Sequence, residues 1–250
     1  MTGPWRSFVA LGDSLTEGVG DPLPGRGLRG WAARLADGLR RLEPSLEFTN
    51  LAKRSLISAE IRDLQLSRAL ALKPDLAGVI VGMNDAIRPE FAPENVEEPL
   101  EEMVAALTGA GALVLMATLP DITRILPLPK RMTRGVHQKL EAVSGVVRSV
   151  AGRYQGTLLV DASDSPEELR RANWSLDQLH PNSRGHQLIA LGFAERLGAR
   201  ANVTVPMAPA GRVRAVGIEN ARHAQWLLDN WAVPEAKRLA SKVAGRAARP

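Results

Sequence analysis

The stretch FVALGDSLTEGVGDP, Phe8 to Pro22, opens as an unbroken apolar run and stops abruptly on Gly12-Asp13-Ser14. A half-exposed strand alternates apolar and polar residues, and this run does not. Both of its faces are therefore expected inside a core, as in a parallel sheet covered by helices. The residues just beyond each such strand then matter, because the ligand site of a parallel sheet lies at the carboxyl ends of its strands.

Strand-like runs recur along the chain at Ser7–Leu11, Glu47–Leu51, Ala77–Val81, Ala112–Leu119 and Thr157–Asp161. Helical spacing fills the intervals. Trp31, Leu35, Leu39 and Leu42 mark one helix, and Ile57, Ile61, Leu64 and Leu66 begin a second that ends near Lys73-Pro74. Val96, Leu100, Met103 and Leu107 mark a third, Val136 to Val150 a fourth, and Leu188, Leu191 and Ala194 a fifth. Strands alternating with such helices build βαβ units. The expected fold class is α/β: a three-layer α/β/α sandwich around a mostly parallel, five-stranded, flavodoxin-like sheet. Residues 1–198 form this domain. Residues 199–250 form an extension, a Pro/Gly/Ala-rich linker and two short amphipathic helices carrying Trp226 and Trp231, expected to pack on the domain.

The 250 residues are 45% hydrophobic and 24% charged, ordinary for one globular domain. Without cysteine the chain has no disulfide, no thiolate metal site and no cysteine nucleophile. No apolar run is long enough to span a bilayer, and the N-terminus does not read as a secretory signal, so a cytoplasmic location is expected. The net charge of +5 lies wholly in residues 201–250, where eight Lys/Arg face three acids; residues 1–200 balance at 24 of each sign. A nucleic-acid partner is not expected from that distribution. Weak peripheral contact of the basic C-terminal helices with anionic lipid is the minority alternative to a solvated helix face.

The strand ends carry "GDS", "NLAKRS", "GMND", "LPD" and "DASD". Ser14 becomes a nucleophile only beside a base that is itself oriented. Of four histidines, His180 stands in SLDQLHPNSRGH with Asp177 three residues before it and Pro181 after it. Proline disfavours helix at the preceding residue, so His180 is held extended just outside the next helix. Asp177 and His180 can share one turn, with one imidazole nitrogen left to face Ser14; equally, such a pair can simply cap a helix. His186 is expected to be packed or solvated. His137 and His223 are assigned no role, for want of a nearby acid. Asn84 can offer its side-chain amide at the same rim, or serve only in a turn. Asn50 to Ser55 offers backbone N–H groups there.

These blocks together resemble the SGNH (GDSL) hydrolase superfamily: "GDSL" with Ser14, Gly-x-Asn-Asp at Gly82 to Asp85, and Asp-x-x-His-Pro from Asp177 to Pro181. They span roughly residues 7–198 in the family's order, and "GDSLTEGVGDP" with "RGWAARLA" looks especially like its actinobacterial esterase branch. The resemblance implies that Ser14 is the nucleophile, His180 the base and Asp177 its orienter. Its oxyanion hole would comprise the Ser14 N–H, the Asn84 amide and a backbone N–H five residues after Asn50. The family has glycine at that last position; here it is Ser55, which would be strained if its φ were positive. Asp13 is left a structural role in the turn.

The activity implied is serine-dependent hydrolysis of small-molecule carboxylic esters, with no metal or organic cofactor. An acyltransferase or thioesterase on the same site is the alternative, and a non-catalytic binding protein a weaker one. A nucleotide-binding reading lacks both Gly-x-Gly-x-x-Gly and a P-loop lysine. The loop Pro120–Arg134 is expected to wall the site, with Ile122, Ile125 and Leu126 available to an acyl group and Arg124, Lys130 and Arg131 to an acidic substrate.

Overall fold

The computed structural model describes residues 5–23, 25, 27–125, 130–163, 165–167 and 169–209. In chain order the elements are β1 (Ser7–Gly12), α1 (Ser14–Glu17), β2 (Pro22–Leu23), β3 (Gly27–Leu28), α2 (Gly30–Leu39), β4 (Glu47–Asn50) and α3 (Ser58–Ala71). Next come β5 (Leu76–Ile80), α4 (Met83–Ile87), α5 (Glu94–Gly109), β6 (Leu113–Ala117), α6 (Lys130–Arg153), β7 (Thr157–Val160) and α7 (Ser183–Ala201).

The five expected strands form one fully parallel sheet in the order β4-β1-β5-β6-β7, and β2 and β3 make a separate small hairpin. With that hairpin set aside, the sheet has the flavodoxin-like order. Its direction of winding reverses between β1 and β5, the switch point where such sheets bind ligands. Ser14 lies just beyond β1 and Asn84 just beyond β5, so the two flank it.

Helices α2 and α7 pack together on one side of the sheet; α3, α5 and α6 pack as neighbours on the other. Every residue of β5 is buried, as its unbroken apolar run requires. On the α2 side Trp31 is fully buried, its ring 6.3 Å from Phe8 and 4.9 Å from Phe193. Gly78 of β5 makes room for it, since a Cβ there would lie 2.7 Å from the indole.

Two helices stand where expected and bury Ile61 and Ala194 as expected, but the rest of the inward face is shifted. In α3, Leu64 is 56% exposed, and Ser58, Ile61, Gln65 and Ala69 are the buried residues. In α7, Leu188 and Leu191 are only half-buried, while His186, Gln187, Ala190, Phe193, Ala194 and Leu197 face the protein. In both cases a polar side chain with a buried hydrogen-bond partner takes a place that apolar periodicity would assign to leucine. Beyond α7, Val205 is buried, Arg41 donates to the Pro206 carbonyl and Met207 lies against Gly38, so this stretch runs along α2. The expected helices with Trp226 and Trp231, and His223 with them, lie outside the described residues.

A buried polar network joins the loop after α1 to the start of α7. Arg34 of α2 grips Asp21 through Nε at 2.6 Å and Nη2 at 3.0 Å, and its Nη1 donates to Gln187. Ser183 donates to the same Asp21 carboxylate. The side chains of Arg34 and Asp21 are 3% and 4% exposed. Burial alone would raise the Asp21 pKa, but the hydrogen bonds from Arg34 and Ser183 outweigh it and hold the carboxyl below the usual range. Beside this network the two chain segments touch: a Cβ on Gly20, at φ +97°, would sit 2.0 Å from the Pro181 carbonyl oxygen.

Replacing Arg34 by leucine leaves a buried carboxylate without its cation. It should lower folding stability by about 3–5 kcal/mol in urea denaturation near neutral pH. A loss below about 1 kcal/mol would show that the pair is not a principal tie between these segments.

Candidate active site

Ser14 opens α1, a single helical turn whose cap is Asp13: the Asp13 Oδ1 accepts the Leu15 N–H at 3.0 Å. The strand reaches this turn through Gly12 at φ +150°, where a Cβ would lie 2.8 Å from the Ile80 carbonyl oxygen. Behind it stands Gln65. Its Oε1 accepts the Gly12 N–H at 2.9 Å and its Nε2 donates to the Gly12 carbonyl at 3.0 Å, so one side chain pairs with the turn as a neighbouring strand would. Motif and apolar periodicity both pass over Gln65. Its one signal in the sequence is its spacing, four residues from both Ile61 and Ala69 on the buried stripe of α3.

His180 reaches Ser14 from the other end of the chain. Its Nε2 lies 2.9 Å from Ser14 Oγ and its Nδ1 2.8 Å from Asp177 Oδ2. Asp177 Oδ1 also accepts the N–H groups of Leu179 and His180, each at 3.0 Å. Burial disfavours the Asp177 anion, yet the hydrogen bond and charge of His180 and these two N–H groups outweigh it and keep the carboxyl below its usual range. A charged Asp177 fixes the proton on Nδ1, leaving Nε2 as the acceptor for the Ser14 hydroxyl. His186, in the first turn of α7, belongs to the structure instead. Its Nδ1 accepts the Trp31 N–H, its Nε2 donates to the Val19 carbonyl, and burial lowers its pKa to about 4.

The donors expected around an oxyanion are tied to α1 from two sides. Ser55 has φ +70°, the left-handed conformation that a glycine would adopt there without strain. Among the described residues its N–H donates to no protein acceptor. Its loop is fastened to α1 by Asn50, which donates to the Thr16 carbonyl, and by Arg54, whose N–H and guanidinium both bond Glu17. Asn84 lies in the first turn of α4, and its Nδ2 donates to the Leu56 carbonyl at 2.9 Å and to Asp13 Oδ2 at 3.1 Å. The next residue, Asp85, accepts the N–H and hydroxyl of Ser58 and so holds α3 to α4. Asp13 itself is fully buried, and burial pushes its carboxyl up to about 6 against the pull of the Leu15 N–H and the charge of His180.

An apolar cavity of about 40 Å³ opens on Ser14, His180 and Asn84, walled by Leu15, Ile80, Val81, Met83, Leu119, Pro120, Trp174, Leu179 and Ile189. The loop after β6 thus contributes its first residues to the wall. Ile122 is instead buried in the core, Ile125 packs against that core, Arg124 is exposed, and Leu126 and the side chains of Lys130 and Arg131 lie outside the described residues. The expectation for His137 needs correction: its Nδ1 lies 3.0 Å from Asp121 Oδ2, an acid sixteen residues earlier that the fold of this loop brings back onto α6. Neither group lines the cavity.

Folding stability reports on two of these environments. With its pKa raised to about 6, the folded protein keeps a proton on Asp13 between pH of about 4 and 6, where the unfolded chain has lost it. Stability from Asp13 is therefore full below pH of about 4 and is lost as pH rises through about 6. His186 does the reverse, its contribution being lost as pH falls from about 6.5 toward 4, so the two slopes largely cancel. In Asp13→Asn the opposing contribution of Asp13 is gone, so the fall in stability on acidification from pH of about 6 to 4 should steepen by about 1.4 kcal/mol per pH unit. An unchanged slope in urea titrations across this range would refute it. Ser55→Gly should fold with stability raised by up to about 1 kcal/mol, whereas the β-branched Ser55→Val should be destabilised by more than that. Equal stabilities for the two variants would contradict the strain at this position.

Solved structures that share the fold include a hydrolase and two esterases. One is LAE5, an alpha/beta hydrolase enzyme from the metagenome of Lake Arreo, Spain, with 24% identity and a TM-score of 0.63 over 79% of this chain and 97% of that one. Another is the acetylxylan esterase Axe2 of Geobacillus stearothermophilus, with 20% identity and a TM-score of 0.63 over 79% and 95%. The third is the psychrotrophic esterase EstA of Pseudoalteromonas sp., with 17% identity and a TM-score of 0.60 over 79% and 99%. No curated protein sequence matches the chain. Residues 10–188 match the sequence profile of the GDSL-like lipase/acylhydrolase family, a span that takes in Ser14, Asn84 and His180 alike. The chain belongs to that family, as a carboxylic ester hydrolase of the SGNH type.

Proposed function

We propose that the protein cleaves esters of short acyl groups through an acyl-enzyme on Ser14. The observation that carries this reading is the unbroken hydrogen-bonded line Asp177–His180–Ser14, with links of 2.8 and 2.9 Å. Ser14 Oγ attacks the ester carbonyl while its proton passes to His180 Nε2, and the ion pair with Asp177 stabilises the imidazolium. The oxyanion of the tetrahedral intermediate is met by the Ser14 and Ser55 N–H groups and by Asn84 Nδ2. His180 then gives its proton to the leaving alcohol oxygen as the bond to the acyl carbon breaks. Water, deprotonated by the same nitrogen, releases the acid and restores Ser14.

The acyl preference rests on the cavity. Its 40 Å³ is a few times the roughly 10–15 Å³ that a cavity needs to hold one water, and its walls are largely apolar. An acetyl or propionyl group suits that space, and an acetylxylan esterase among the structural neighbours accords with a short acyl chain.

A fluorophosphonate probe should label the protein covalently, with labelling abolished in Ser14→Ala and sharply reduced in His180→Ala. Labelling that survives in Ser14→Ala would sink the nucleophile assignment. Across a series of p-nitrophenyl esters, kcat/KM should fall at least tenfold from acetate to octanoate. A flat or rising series would refute the short-acyl reading without touching the nucleophile.

A further inference from the structure

Asn84 Nδ2 carries two hydrogens, and both have protein acceptors, the Leu56 carbonyl and Asp13 Oδ2. Leu56 is the residue after Ser55 and Asp13 the one before Ser14, so the amide is strung between the two backbone donors of the oxyanion site. Asp13 serves two elements at once: Oδ1 caps α1 at Leu15 and Oδ2 holds Asn84. Capping alone does not require a carboxylate, because serine or asparagine caps a helix about as well. Nor does the setting favour one. Asp13 is 3% exposed, and burial, with the like charge of Asp85, works against its ionisation. A carboxylate is specifically suited to the second contact. It accepts hydrogen bonds and offers none, so it admits the NH₂ end of the Asn84 amide and repels the carbonyl end. With the amide flipped, Asn84 Oδ1 would face Ser14 and oppose an oxyanion.

We propose that Asp13 is a positioning residue: it keeps the Asn84 amide with its NH₂ toward Ser14 in the free enzyme and yields that N–H to the oxyanion as it forms. The proposal rests on the oxyanion role assigned to Asn84 above. No covalent step is added; one N–H exchanges a carboxylate acceptor for the alkoxide oxygen of the tetrahedral intermediate. Holding the donor in place beforehand spares the reaction its reorientation, which is where such donors gain their effect.

A double-mutant cycle tests it, with kcat and KM measured for p-nitrophenyl acetate. Asp13→Asn keeps one acceptor oxygen for the cap and loses the second acceptor, as does the shorter Asp13→Ser. In the wild-type background each should lower kcat about tenfold or more with KM within twofold. In an Asn84→Ala background the same changes should lower kcat less than twofold, because the group through which Asp13 acts is gone. Thermal melts confirm folding, and either Asp13 variant suffices if the other fails to fold. Unchanged kcat in both Asp13 variants, or an equal loss in both backgrounds, overturns the proposal. Asn84→Ala alone should cost roughly 10²–10³ in kcat. If it costs less than twofold, the oxyanion reading itself has failed, a result distinct from failure of the Asp13 proposal.

Discussion

Ser14 and His180 are 166 residues apart, and the contact between the Gly20 and Pro181 backbones sets how they meet. The loop that leaves α1 must run directly against the segment that carries the histidine, with no side chain between them. The buried Arg34–Asp21 pair, joined by Ser183 and Gln187, fixes that approach from α2 and α7. His186 adds a second stitch by joining the Trp31 N–H to the Val19 carbonyl. A hydrogen bond of 2.9 Å between serine and imidazole is a product of this packing. Neither residue could hold the geometry by itself.

Most of the frame was legible because its physics is local. An apolar run buried on both faces reads as a parallel strand, as in β1, β5 and β6, and the five strands stand within a residue or two of their expected ends. The chemical groups were legible because each stands beyond a strand at the same edge of the sheet. The left-handed turn at Ser55 was readable too, from the position where the family carries glycine. What stayed hidden depends on partners distant in sequence. Gln65 looks like a surface glutamine until Gly12 arrives from 53 residues away. Leu64 and Leu188 look like core residues until polar neighbours take the inward face. Asp121 and His137 show no relation until the loop between them folds back.

Asp13 illustrates the difference between a motif and its physics. In the sequence it is one letter of GDSL, adequately explained as a turn residue. In the structure it is a buried carboxylate with a pKa pushed to about 6, an unfavourable group to keep out of water. Neighbouring strands β1 and β5 deliver Asp13 and Asn84 to one another across the switch point, so the buried acid and the amide it holds are consequences of the same topology. Stability given up at a reacting centre is a familiar compromise of enzymes.

The place of β1 in the sheet bears on how the protein is made. This first strand lies between β4 and β5 and so waits for residues 76–80 before its second edge is paired. Ser14 waits longer still, since α7 and the segment before it are nearly the last parts of the domain to be synthesised. Contacts of such long sequence separation slow folding and leave the N-terminal apolar run exposed while the rest emerges. Until α7 is free to fold, the nascent chain carries its serine without the histidine that completes it.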